Sequence, residues 1–151
     1  MKEIIIMLDN VRSALNVGAI FRTCDGANVK KIYLSGITPY PPHQKVLKTA
    51  LGAENYIDFE HVDKLNDSID KYKEAGFEII SIEQTNNSKN FKGHEFGDKI
   101  VFIVGNEITG VSNEVIEKSD CSLELPMHGK KNSLNVATTL GISVYYIRLS
   151  E

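Results

Sequence analysis

Polar residues that could hold a ligand occur in three short segments of this chain. The first segment reads NVGAIFRT and contains Asn16 and Arg22, and the second reads VGNEITG and contains Glu107. The third, ELPMHGKKNSLN, ends with Ser133 and Asn135. Ser133 can either cap a helix, by accepting a hydrogen bond from an orphan backbone N–H group, or face a ligand together with Asn135. Each segment alone allows both a structural and a functional interpretation.

The segment around Glu107 lacks the common phosphate-binding motifs. A dinucleotide-binding G-x-G-x-x-G motif needs a glycine where this chain has Glu107, whose carboxylate would repel a pyrophosphate, so NAD is disfavoured. A P-loop is excluded because no G-K-[ST] follows. The structural alternative is a turn from strand to helix, with Ser112 or Asn113 as the cap. In the first segment, Asn16 is at a natural cap position, and Arg22 alone could be a solvated arginine.

Length and composition indicate one globular domain that spans residues 1–151. Of these residues 42% are hydrophobic and 25% are charged, as in a soluble protein with its own core. Cys24 and Cys121 lie far apart and the four histidines form no ligand pair, so neither a disulfide scaffold nor a metal site is predicted. A reducing cytoplasm is therefore expected. The apolar run at 4–8 is too short for a signal peptide or a membrane span, so neither secretion nor membrane contact is expected.

Apolar runs of strand length alternate with helical patterns along the chain. Six strands are predicted, at 4–8, 31–36, 56–62, 77–83, 99–105 and 121–126. Helices are predicted over 17–27, after Pro41-Pro42, after a cap at Asp63, and from about Ser133 to Ile147. The polar segment 84–98 is predicted to be a mobile loop. The alternation predicts an α/β domain with a mostly parallel six-stranded sheet and helices on both faces.

Ligands of such a sheet bind beyond the carboxyl ends of its strands. The polar segments that contain Glu107 and Ser133 directly follow predicted strands, as this rule requires. Gly18, in the first predicted helix, shares a helix face with Arg22 and permits close approach of a ligand or of another backbone. These positions are therefore the candidates for a site.

Taken in chain order, the segments resemble a known family. The patterns N-x-G-x-x-x-R in 16–22, G-N-E-x-x-G in 105–110 and L-P-M-x-G-x-x-x-S-L-N-V in 125–136 are similar to motifs of the SpoU/TrmH branch of the SPOUT RNA methyltransferases. The segment KVLKTALGAE, residues 45–54, also resembles that family. The resemblance covers nearly the whole chain, and three motifs in order are far more specific than any single one.

The resemblance implies a homodimer that binds S-adenosylmethionine in a deep trefoil knot of the C-terminal third of the chain. The knot and the cofactor site would occupy about residues 77–149. The implied cofactor-binding residues, with no metal, are Ile82, Gly105, Leu125, Met127, Gly129, Ser133 and Leu134.

The resemblance also implies methyl transfer to a ribose 2′-hydroxyl of tRNA or rRNA. Arg22 matches the catalytic arginine of the family, either as a general base or as a charged group that grips a phosphate and stabilises developing alkoxide charge. Asn16 and Glu107 would orient Arg22, while Ser133 and Asn135 would shape the site.

The choice of RNA rests on the size and charge of the chain. A net charge of −3 argues against capture of nucleic acid by the whole surface. The expected RNA contacts are therefore Arg22 and four lysines: Lys45, Lys48, Lys130 and Lys131. Because no extra RNA-binding segment is recognised, tRNA is favoured over rRNA. The alternative is a non-catalytic module that binds RNA or an adenosyl ligand, although such a module would not need all five polar site residues.

Overall fold

A seven-stranded sheet forms the centre of the molecule, and all of its neighbouring strands run parallel. The computed structural model describes residues 1–151. The strands are β1 (Glu3–Asp9), β2 (Lys31–Ser35), β3 (Asp58–Val62), β4 (Glu78–Ile82), β5 (Lys89–Asn90), β6 (Lys99–Gly105) and β7 (Cys121–Glu124). Their order across the sheet is β3-β2-β1-β6-β4-β7-β5. The predicted α/β class is confirmed, but the prediction of six strands is wrong.

The additional strand, β5, lies within the segment 84–98 that the sequence predicts to be a loop. Its two residues pair with β7, and the N–H of Phe91 donates to the carbonyl of Glu124 at 2.9 Å. The ring of Phe91 is buried, and its centroid lies 5.1 Å from that of Phe96. Two aromatic side chains therefore attach this polar segment to the core.

Five helices cover the two faces of the sheet. They are α1 (Ala14–Gly26), α2 (Gln44–Ala50), α3 (Asn66–Glu74), α4 (Asn113–Lys118) and α5 (Val136–Leu149). Alternate strand side chains point to opposite faces, so Ile4 and Ile6 belong to the core under α1, α2 and α5, whereas Ile5 and Met7 belong to the core under α3 and α4. Helices on both faces are thus confirmed. None of the five is both long and apolar enough to cross a membrane.

The caps of α1 and α3 differ from the predicted ones. Ser13 caps α1, because its Oγ accepts the N–H of Asn16 at 3.2 Å. Asn16 therefore lies inside the helix, and its amide is free for other contacts. Helix α3 begins at Asn66 without a side-chain cap, so Asp63 does not have the predicted capping role.

Gly18 lies where α1 packs against α2. A Cβ atom at this position would lie 2.1 Å from Oγ1 of Thr49 and 2.2 Å from the carbonyl oxygen of Val46. The hydroxyl of Thr49 also donates to the carbonyl of Leu15 at 2.7 Å, which fastens the two helices together. The close approach predicted at Gly18 is therefore to another helix, and this face is not open to a ligand beside Arg22.

Substitution of Gly18 by Ala is expected to destabilise the protein although alanine favours helices. Overpacking costs about 1–3 kcal/mol, which exceeds the gain of roughly 0.5–1 kcal/mol from replacing a helical glycine. Gly141 in α5 is the matched control, because a Cβ there would meet only Cγ2 of Thr23, at 3.9 Å. Gly141→Ala should therefore be neutral or stabilising. Urea unfolding measures both variants, and a stabilising Gly18→Ala would contradict the assigned packing.

Candidate ligand cleft at the carboxyl ends of three strands

A cleft of about 540 Å³ opens at the carboxyl ends of β4, β6 and β7, and β4 lies between the other two strands in the sheet. Sites for small molecules span roughly 300–1,000 Å³. The predicted cofactor-binding residues that line this cleft are Ile82, Gly105, Leu125, Met127, Ser133 and Leu134. The structure brings these residues together from distant parts of the chain. Gly129 is exposed and lies outside the lining.

The motif GNEITG forms a tight turn that places Glu107 in the wall of the cleft. The N–H of Gly110 donates to the carbonyl of Asn106 at 2.8 Å, and the N–H of Asn106 donates back at 3.1 Å. Gly110 has a φ of 73°, a left-handed conformation that favours glycine. A Cβ on Gly105 would lie 2.3 Å from the carbonyl carbon of Gly110. Both glycines are thus required by the turn itself.

The carboxylate of Glu107 joins this turn to the N-terminus of α1. Its Oε1 accepts the N–H of Arg12 at 2.7 Å, and its Oε2 accepts the N–H of Ser13 at 2.9 Å. The side-chain amide of Asn16 donates to the same Oε2 at 3.1 Å. Because a carboxylate is purely an acceptor when it is ionised, three N–H donors suit its charge.

These contacts change the acidity of Glu107. Partial burial acts to raise the pKa of the Glu107 carboxyl, but the N–H groups of Arg12 and Ser13 and the amide of Asn16 act against burial and outweigh it. The pKa therefore lies below its ordinary value of 4.5, and the carboxylate is ionised at neutral pH.

Asn16 continues this chain of hydrogen bonds to the start of α5. Its Oδ1 accepts from Nδ2 of Asn135 at 3.1 Å, while Oδ1 of Asn135 accepts the N–H groups of Ala137 and Thr138 at 2.9 and 3.2 Å. Asn135 is therefore the cap of α5. Ser133 does not cap this helix, which begins after Asn135, and Ser133 instead lines the cleft.

Arg22 occupies a different place from the other predicted catalytic residues. Asn16, Glu107 and Asn135 share one hydrogen-bonded chain, and Ser133 lies on the wall of the cleft. Arg22 is exposed on α1, and its side chain neither makes a hydrogen bond nor lines this cleft. The structure therefore brings four of the five residues to one place.

The four predicted RNA-contacting lysines form two exposed groups outside the cleft. Lys45 and Lys48 lie on α2, and Lys130 and Lys131 follow β7. None of the four side chains forms an ion pair. Their charges are therefore available to an anionic partner.

Among the residues of the cleft wall that the sequence did not single out, Glu83 and Gln84 make hydrogen bonds to other segments. Gln84 donates from its side-chain amide to the carbonyl of Asn132 at 2.7 Å, which links the segments that follow β4 and β7. Glu83 accepts the N–H of Val111 at 2.8 Å with its Oε2. Both residues directly follow β4, so their position after a strand was the available signal.

The fold is that of an α/β protein with a cleft of small-molecule size at the carboxyl ends of its parallel strands. The chain belongs to the SpoU rRNA Methylase family, whose profile matches residues 3–145. This match confirms the family that the three motifs indicate, and with it the class of RNA methyltransferases.

Relatives and solved structures agree with this assignment. The tRNA (guanosine(18)-2′-O)-methyltransferase of Aquifex aeolicus is 33% identical over 148 residues, which cover 95% of this chain and 68% of the relative. The crystal structure of the A. aeolicus TrmH/SpoU tRNA modifying enzyme has a TM-score of 0.83 at 32% identity and covers 96% of this chain and 73% of that chain. The AdoMet-bound rRNA methyltransferase from Sinorhizobium meliloti shows the same fold, with a TM-score of 0.89 at 24% identity over 99% and 57% of the two chains. The chain spans only about three fifths of the length of several other curated relatives, 57 to 59%.

The lowered pKa of Glu107 predicts a stability that depends on pH. Because the folded-state pKa lies below the unfolded one, the carboxylate stabilises the native state above the unfolded pKa, and this contribution is lost as the pH falls through the folded pKa. Over about pH 5 to 3, wild type should therefore lose more stability than Glu107→Gln, whose amide does not titrate. Urea unfolding across this range measures the difference.

Glu74→Gln is the control for this comparison, because the exposed Glu74 carboxylate accepts no hydrogen bond. Its stability should follow that of wild type as the pH falls. If Glu107→Gln gave a pH dependence as steep as that of wild type, the stabilising role of the Glu107 carboxylate would be refuted.

Proposed function

We propose that this chain transfers the methyl group of S-adenosylmethionine to a ribose 2′-hydroxyl of RNA, with tRNA favoured over rRNA as the substrate. The observation that carries the proposal is the hydrogen-bonded chain from Glu107 through Asn16 to Asn135, which joins the three motif segments beside one cleft. A module that only bound RNA would not need this arrangement. The Aquifex relative, named for 2′-O-methylation of a tRNA guanosine, supports both the reaction and the choice of tRNA.

The lining of the cleft suits an adenosyl cofactor. Ile82, Leu125 and Leu134 offer apolar surface to the faces of an adenine, and the backbone around Met127 offers donors and acceptors to its edge. Gly129 is exposed and does not contribute to this wall. When bound, S-adenosylmethionine supplies a methyl group on a positively charged sulfur, which is electrophilic without the help of a metal ion.

The protein residues then place the attacking oxygen and stabilise its developing charge. Good placement of two reactants contributes roughly 7–11 kcal/mol to a rate enhancement. Arg22 grips the phosphate next to the target ribose with its fork of donors and holds positive charge near the developing alkoxide. Ser133, whose hydroxyl has no hydrogen-bond partner within the protein, contacts the RNA or the cofactor. Glu107, Asn16 and Asn135 keep the rim of the cleft in place.

A homodimer reconciles this role with the position of Arg22 outside the cleft of its own chain. Helices α1 and α5 pack side by side on one face of the sheet. The outward side of α5 presents Ile142, Tyr145 and Leu149, which are 44%, 39% and 85% exposed. Their i, i+3, i+7 spacing forms one apolar stripe. We propose that a second copy covers this stripe, and that Arg22 on the neighbouring helix enters the cleft of that copy.

Residues 1–151 act as one domain, and residues 77–149 form the trefoil knot implied by the family. The topology supports the knot because β6 lies between β1 and β4, although β4 precedes it in the chain. We further propose that the chain acts in the cytoplasm, with Cys24 and Cys121 as free thiols. Exposed lysines at 45, 48, 130 and 131 add contacts to RNA phosphates.

Methyl transfer from labelled S-adenosylmethionine to total tRNA and to rRNA, followed by mapping of the modified ribose, tests the proposed function. We expect labelling of tRNA at a single ribose. Arg22→Ala should lower the rate by ~10²- to 10³-fold, as loss of one well-placed electrostatic stabiliser does, and Arg22→Lys should recover little because a point charge cannot replace a planar fork of donors.

Lys73→Ala, which removes an exposed charge on α3 on the other face of the sheet, is the control and should retain the normal rate. An Arg22→Ala protein as active as wild type would exclude Arg22 from the reaction. Labelling of rRNA alone would overturn the choice of tRNA.

The proposed interface predicts a dimer in solution. Light scattering at micromolar concentration should give twice the mass of one chain, and Ile142→Arg should give the mass of a monomer, because the charge would be buried without a partner. Ile37→Arg introduces the same charge at an isoleucine that is 64% exposed outside α5, and it should leave the dimer intact. An active wild-type monomer would disprove the interface.

A further inference from the structure

Three residues of metal-ligating type meet at the end of the sheet opposite the cleft. Glu78 is the first residue of β4 and Cys121 is the first residue of β7, whereas His94 lies between β5 and β6. One potential ligand atom from each of the three lies within 4.8 Å of the other two. All three residues are half-buried. None of them belongs to the cleft or to the proposed reaction.

The fold explains why these three side chains converge. In the parallel pairing of β4 with β7, Ile80 lies opposite Cys121, and residues two apart on a strand share a face. Glu78 and Cys121 therefore point to the same side of the sheet. The ring of His94 is held against that of Phe96 at 4.7 Å, edge to face, and its Nε2 lies 2.9 Å from Oε1 of Glu78.

The charges around Cys121 favour a cation at this position. The carboxylates of Glu78 and Asp120 place negative charge near the sulfur of Cys121, although Lys89 acts in the opposite direction. This negative charge attracts a divalent cation, and a thiol that coordinates such a cation loses its proton.

We propose that Glu78, His94 and Cys121 bind a zinc ion or a divalent metal with similar ligand preferences. Carboxylate oxygen, imidazole nitrogen and thiolate sulfur are the donors that zinc uses, and a water molecule completes four-coordination. Bond lengths of about 2.0–2.3 Å place two tetrahedral ligand atoms roughly 3.3–3.7 Å apart. The widest separation in the cluster, up to 4.8 Å, must therefore shorten by roughly 1 Å, while Glu78 and His94, at 2.9 Å, move slightly apart. Rotation of half-buried side chains supplies this movement.

Binding of the metal ion requires no oxidant or reductant. The thiol of Cys121 releases its proton to solvent as the sulfur–metal bond forms. His94 exchanges its hydrogen bond with Glu78 for a bond from one ring nitrogen to the metal, and Glu78 contributes its carboxylate oxygen. The ion then fastens the segment 84–98 to the starts of β4 and β7. The sequence does not predict this site because the ligands are distant in the chain and form no C-x-x-C motif.

Titration of the untagged, reduced chain with cobalt(II) tests the proposal directly, because a thiolate ligand gives a sulfur-to-cobalt charge-transfer band. We expect one equivalent of cobalt per chain, displaceable by zinc. Cys121→Ser should abolish the band. Loss of a residue that only hydrogen-bonds to a metal ligand weakens metal binding by roughly 10- to 100-fold. Because His94 would bind the metal directly, His94→Ala should weaken binding at least as much. Glu78→Gln, which can keep a hydrogen bond to His94, should also weaken it.

His128→Ala is the matched control, since His128 is an exposed histidine outside the cluster, and it should bind cobalt like wild type. Circular dichroism confirms that each variant is folded before titration. Absence of one-to-one binding in wild type would overturn the site. The site would also be overturned if the folded Cys121→Ser variant kept the band, or if His128→Ala lost it.

Discussion

The carboxylate of Glu107 is the acceptor on which the arrangement of the cleft depends. Because it cannot donate when ionised, Asn16 must turn its NH2 group toward Glu107, which leaves the oxygen of Asn16 for the NH2 group of Asn135. The oxygen of Asn135 is then left for the N–H groups at the start of α5. One negative charge thus sets the orientation of two side-chain amides and the residue at which helix α5 begins.

The parallel sheet makes this chain of contacts feasible. Helix α1 follows β1 and α5 follows β7, so both helices begin at the carboxyl edge of the sheet, where the turn after β6 carries Glu107. Helix N-termini present unpaired N–H groups and partial positive charge. A carboxylate placed at the start of α1 is therefore stabilised by the same features that leave this edge open to a ligand.

The two ends of β4 serve different purposes. Its carboxyl end contributes Ile82 to the cleft, and its amino end contributes Glu78 to the cluster with His94 and Cys121. The segment 84–98 connects these ends: it contacts the cleft wall at Gln84, pairs through β5 with β7, and then places His94 beside Glu78. The pairing of β4 with β7 supports both places, although they do not share a residue.

Local apolar runs allowed β1 and β6 to be predicted from the sequence, because a strand that is buried on both faces must be continuously hydrophobic. The motif residues were predicted from family resemblance, and three of them, Asn16, Glu107 and Asn135, do meet in the structure. Strand β5 was not predicted because two residues are too few to show the alternating pattern of a strand. Their pairing with β7 depends on the burial of the neighbouring Phe91.

The residues that cap helices α1 and α5 could not be predicted from the sequence alone. Ser133 and Asn135 are both good capping residues, as are Ser13 and Asn16, so composition cannot choose between neighbours. The choice is made by partners from distant parts of the chain, since an amide engaged by Glu107 is not free to cap its own helix. The sequence by itself determined which residue types were available and which strands were buried. Only the tertiary structure decided which hydrogen bonds form, because each depends on which donors and acceptors the packing brings within about 3 Å.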